Sequence, residues 1–109
     1  MQETIIQNNI LDENMFKNIV IEWANRIGVE PKEIHLRQMK NKWASLSEKG
    51  RLTFNTDLLK MHRKYCDYVI VHELLHMKVP NHGKLFKSLM YVFLPDWENL
   101  AREIGFQEI

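Results

Sequence analysis

The stretch from Tyr68 to Val79 does most to narrow what this chain can fold into. Its apolar residues, Tyr68, Val69, Ile70, Val71, Leu74, Leu75, Met77 and Val79, leave a helix apolar over most of its circumference, which therefore has to be buried. Three titratable side chains, His72, Glu73 and His76, sit inside it. Buried groups of this kind need partners, and a metal ion is one that accepts two imidazoles at once.

The spacing supports that reading. Histidines four residues apart project from one helix face, close enough to bind one ion at about 2.0–2.1 Å. Glu73 lies roughly 100° further round the helix, where its carboxylate reaches a water on the metal without becoming a ligand. Zinc lowers the pKa of such a water from about 15.7 to about 7, and the glutamate accepts the proton as the water attacks a carbonyl or phosphoryl centre. A catalytic zinc takes three protein ligands and keeps one open position, so a third ligand must come from beyond this turn. His82 is the first candidate, because Pro80 breaks the helix while Asn81 and Gly83 allow the chain to turn back. Its spacing equals that of the metzincin signature, but Val79 stands where that signature has glycine, so the metzincin label and its methionine turn are not carried over. Glu98 and Glu103, on an expected C-terminal helix, are the alternatives.

Five letters of H-E-x-x-H arise by chance often enough that the rest of the chain has to agree. At 109 residues it is expected to form a single domain, 1–109, with one modest core. Hydrophobic residues at 45% and a net charge of +1 suit an ordinary globular protein and argue against a dedicated polyanion binder. The first residues, Met1-Gln2-Glu3-Thr4, lack a basic and apolar leader, and no apolar run approaches 18 residues; a cytoplasmic protein without a membrane span is the expectation. The single Cys66 excludes an internal disulfide and suits a reducing compartment, with packing as its expected role.

Periodicity gives an α+β order. Phe16, Ile19, Val20, Trp23 and Ile27 predict a helix over 12–27, with Asp12 as N-cap and Gly28 as stop. Ile34–Met39, Lys42–Ser45 and Arg51–Asn55 read as three short strands, the last two a hairpin around Ser47-Glu48-Lys49-Gly50. A connection over 57–65 leads to the motif helix, Asp67–Val79, with Asp67 as its cap, and helices over 83–93 and 96–104 close the chain. Trp23, Trp43 and Phe54 are expected in the core, and Asn55 in a structural turn. Arg51–Asn55 is expected to be the edge strand beside which an extended peptide lies. Candidates for a donor to the oxyanion are Tyr65, Tyr68, His62 and Arg37. The basic residues Arg37, Lys40, Lys42, Lys49, Arg51, Lys60, Arg63 and Lys64 read as a solvated face rather than a phosphate site.

Taken in order, Arg37 with Trp43-Ala44-Ser45-Leu46-Ser47, Gly50 to Asn55, Tyr68 to His76, Pro80-Asn81-His82, Phe86 and Leu94-Pro95-Asp96 resemble the YgjP-like family of small zinc metallopeptidases. The resemblance covers about residues 34 to 97. It implies a zincin-like α+β catalytic domain with zinc on His72, His76 and His82 and with Glu73 as base. By motif it extends to minigluzincins and SprT-like proteases, the former able to rest in a latent state. Ala44 and Leu46 replace the glycine and cysteine usual in the family's Trp-Gly-Ser-Cys-Ser, so cleft specificity is expected to differ. The expected activity is hydrolysis of peptide or protein substrates, with latency through residues 105–109 or through self-association. Two other readings stand beside it: a metal-dependent nucleotide pyrophosphatase, and a non-catalytic, metal-stabilised module of a restriction or DNA-repair assembly that contacts nucleic acid.

Overall fold

In the computed structural model, residues 11–105 are described. Helix α1, Glu13–Ile27, begins where the Asp12 carboxylate accepts from the Met15 N–H at 2.7 Å. It ends at Gly28, whose φ of 89° is the left-handed conformation that a helix stop favours and that glycine adopts without strain. Phe16, Ile19, Val20, Trp23, Ala24 and Ile27, at three- and one-residue steps, make its buried face.

The strands are β1, Glu33–Arg37, β2, Ala44–Leu46, and β3, Arg51–Asn55. β2 and β3 form the expected antiparallel hairpin, with Ser45 opposite Thr53. β1 lies parallel to β3 on its other side, so the order is β1-β3-β2 and β3 is the central strand. This corrects the expectation of Arg51–Asn55 as the edge. Burial shows why: four successive residues, Leu52 to Asn55, are buried, as a strand covered on both faces requires, whereas β1 alternates half-buried and exposed positions. The parallel pairing closes a loop from residue 38 to 43, and a single sequence carries no periodic trace of it.

Asn55 holds that loop. Its side-chain amide donates to the Met39 and Lys42 carbonyls at 2.9 and 3.0 Å, and its Oδ1 accepts from the Asp57 N–H, which starts a 3₁₀ helix, Thr56–Lys60. Both N–H donors of the buried amide and its oxygen go into structure, in keeping with the expected turn role.

Helix α2, Arg63–Leu75, carries the motif and packs against α1, the sheet and both closing helices, α3, Lys84–Phe93, and α4, Trp97–Ile104. From Tyr68 to Leu75 every residue is buried. The helix starts four residues earlier than expected because His62, not Asp67, is its N-cap: His62 Nδ1 accepts from the Lys64 N–H at 3.1 Å. Asp67 serves a different contact, accepting from Trp23 Nε1 at 2.9 Å and Arg63 Nε at 3.0 Å, and so ties α1 to α2. The helix also ends earlier than Val79, since the chain tightens after Leu75, with the Met77 and Lys78 N–H groups reaching the Leu74 and Leu75 carbonyls ahead of Pro80. Trp23 and Phe54 are core residues, Phe54 meeting Phe16 edge to face at 5.2 Å, and Trp43 packs half-buried against them. Cys66 is fully buried, its thiol donates to the Leu58 carbonyl, and burial pushes its pKa up to about 12; its role is packing.

Candidate active site

The three sequence-predicted histidines meet at one point. His72 sits on the last full turn of α2, His76 at its C-cap, and His82 just before α3. His76 Nε2 is 3.2 Å from His72 Nε2 and 2.8 Å from His82 Nε2. Three nitrogens held around a tetrahedral ion at about 2.0–2.1 Å stand about 3.3 Å apart, and the two separations to His76 Nε2 are close to that spacing.

His76 Nδ1 lies 3.2 Å from the Val79 carbonyl, which only accepts, so the ring proton is on Nδ1 and the Nε2 lone pair faces the other two rings. Burial, with the neighbouring His76 and His82, pushes the His72 pKa down to about 3, so its imidazole is neutral and able to ligate. Imidazoles sharing one focus fit a divalent cation. Among the described residues, His72, His76 and His82 are the side chains grouped closely enough to hold one.

Phe86, 1% exposed, backs the cluster. Its ring stacks on His76 at 4.7 Å and 22° and meets His72 and His82 edge-on at 5.2 and 5.0 Å. One aromatic side chain on the first turn of α3 thus fixes the planes of all three imidazoles. Glu73, buried to 7% exposure, opens with them onto a cleft of about 660 Å³. The opposite wall is β2 and its turn, from Ala44 to Glu48, together with Lys42.

The ladder shows what that wall offers. The Asn55 N–H bonds the Trp43 carbonyl and the Ser47 N–H bonds the Arg51 carbonyl, so odd-numbered residues of β2 face β3. Antiparallel alternation then turns the N–H and C=O of Ala44 and Leu46 to the outer edge.

The alternatives for the third ligand lie elsewhere. Glu103 accepts from the Tyr65 hydroxyl at 2.8 Å and stands 3.9 Å from Lys64, and Glu98 pairs with Tyr91, whose pKa that hydrogen bond raises. Of the oxyanion candidates, Tyr65 is engaged by Glu103, His62 caps α2, and Arg37 and Tyr68 are outside the cleft lining. Tyr68 is buried beside His72, and burial followed by the Glu73 charge raises its pKa. Of the basic residues set out above, Lys42 alone lines the cleft; Arg51, Arg63 and Lys64 face Glu33, Asp67 and Glu103.

The model of the YgjP-like metallopeptidase domain matches residues 7–105. The chain belongs to that family. It is accordingly a metallopeptidase, a hydrolase. The crystal structure of the metallopeptidase zymogen jannalysin from Methanocaldococcus jannaschii superposes with a TM-score of 0.74 at 28% identity, covering 82% of this chain and 92% of that one. The zymogen of abylysin from Pyrococcus abyssi shares the fold, with a TM-score of 0.69 at 18% identity over 87% of this chain and 100% of that one. No curated protein sequence matches.

Sequence reasoning missed two features of the site. Phe86 was recognised in the motif without a role, although an aromatic four residues after a candidate ligand is a signal for ring packing. The Val79 carbonyl, acting through backbone, leaves no signal in side-chain identity.

Proposed function

We propose that His72, His76 and His82 hold a zinc ion and that Glu73 is the catalytic base of peptide-bond hydrolysis. The observation that carries this is the convergence of three Nε2 atoms with the His76 proton locked on the far nitrogen. An all-imidazole set of three with an open side suits zinc among the common divalent ions. When bound, zinc supplies Lewis acidity to a carbonyl and makes a water acidic near neutral pH.

The chain's own residues do the rest. An extended peptide lies along β2, pairing its backbone with the outward N–H and C=O groups of Ala44 and Leu46, which presents its scissile carbonyl across the cleft from α2. Glu73 takes the proton of the attacking water as the C–O bond forms, and returns it to the nitrogen as the C–N bond breaks. Its buried position keeps bulk water from competing for that proton. Phe86 and the Val79 carbonyl hold the imidazoles in place.

Latency belongs to this reading. Jannalysin is a zymogen, and the segment expected to cover the cleft here, beyond Gly105, lies outside the described residues. A cytoplasmic location also belongs to it, supported by the buried, free Cys66. No helix of the described residues is long and apolar enough to cross a membrane.

The test is cleavage of an unfolded protein by zinc-loaded protein, before and after chelation, and by a chain ending at residue 105. The expected result is zinc-dependent cleavage, faster in the shorter chain. Stoichiometric zinc with no cleavage in either chain contradicts the reading.

A further inference from the structure

The cleft wall formed by β2 carries unlike charges at its two ends. Lys42 precedes the strand, Glu48 follows it in the turn, and both are exposed and line the cleft. Neither forms an ion pair within the described residues. Between them the lining side chains are small at Ala44, Ser45 and Ser47 and apolar at Leu46, so no other charge stands along this wall.

We propose that these two residues make the cleft selective for peptides that are basic on the amino side of the scissile bond and acidic on its carboxyl side. The inference rests on the hydrolase reading above only for where the peptide lies. Direction follows from the strand. An antiparallel peptide lets one of its residues exchange both hydrogen bonds with Ala44, and the residue two positions away do so with Leu46, the more stable of the two pairings. β2 runs from Lys42 toward Glu48, so the amino-terminal part of such a peptide lies beside Glu48 and its carboxyl-terminal part beside Lys42.

The size of the effect is bounded by exposure. Solvent-accessible pairs contribute about 0–1 kcal/mol each, so each matched charge gives up to about fivefold, and matched against reversed peptides differ by about tenfold. Salt screens such pairs, and raising ionic strength from about 0.05 M to 0.5 M closes most of the gap.

Three labelled peptides of one length and one apolar centre make the test: Arg-first with Asp-last, Asp-first with Arg-last, and neutral. Anisotropy with zinc-loaded Glu73→Ala protein measures binding without turnover. The expected order of affinity is Arg-first, neutral, Asp-first, with about tenfold between the extremes, and the double variant Lys42→Glu/Glu48→Lys inverts it. Equal affinities, or an Asp-first preference in protein with native Lys42 and Glu48, overturn the proposal. Cleavage of the same peptides by wild type reports separately on the hydrolase reading: selective binding without cleavage removes that reading and leaves the polarity of the cleft, whereas unselective cleavage does the reverse.

Discussion

The two walls of the cleft are built on opposite principles. α2 is buried along its whole second half and holds its polar groups in fixed places, while β2 is three residues long and, among the described residues, sits at the sheet's edge with the N–H and C=O of Ala44 and Leu46 turned away from β3. Burial makes each polar group on α2 expensive unless it is satisfied, so His72 and Glu73 are held in fixed surroundings there. β2 carries no such constraint. Fixed chemistry on one side and adaptable recognition on the other is what a hydrolase of varied peptides requires, and substitutions on the two walls should therefore fail differently.

The largest difference concerns the metal. His82→Ala should lose stoichiometric zinc and all cleavage, because two imidazoles remain of the three that converge, whereas Glu98→Ala should keep both. Elemental analysis of the two purified variants checks this, and equal zinc in both would move the third ligand away from His82.

Phe86→Ala comes next. It leaves a cavity under three rings, with an expected loss of about 3–5 kcal/mol in denaturant unfolding and weaker zinc retention in the fraction that folds. Unchanged zinc affinity would show that the stacked ring does not set the ligand planes. Asn55→Ala acts on the loop that leads into β2. Two carbonyls and one N–H lose their partner, which should cost about 1–3 kcal/mol of stability while the folded protein keeps its zinc.

The smallest effect belongs to the open wall. Leu46→Pro removes an N–H that faces outward, so the sheet should survive while peptide KM rises about fivefold to tenfold; Ser45→Pro removes one that faces β3 and should unfold the hairpin. If the two prolines behave alike, the assignment of the outer edge is wrong.

The same contrast governs what the sequence made legible. α2 could be read because its pattern is local: four-residue spacing puts His72 and His76 on one face, and Pro80 ends the helix before the turn that brings in His82. α1 was legible for the same reason, its buried positions repeating at helical steps between an aspartate cap and a glycine stop. The order of the strands was not. The parallel pairing of β1 with β3 is a contact between residues about 18 apart, Glu33 with Arg51, and either hairpin strand could have taken the edge on composition alone. Asp67 looks like a cap in sequence because its actual partner, Trp23, is 44 residues away. Phe86 and the Val79 carbonyl act through ring stacking and backbone, neither of which a motif records.

The central claim is that a carboxylate on the buried wall moves the proton for a bond held against the open one. Cleavage of one unfolded protein substrate by wild type and Glu73→Ala, each with its zinc content determined on the same sample, tests it most directly. The account predicts equal zinc in both and a rate lower by about 10²–10⁴-fold without the carboxylate. Equal zinc with equal rates would contradict it.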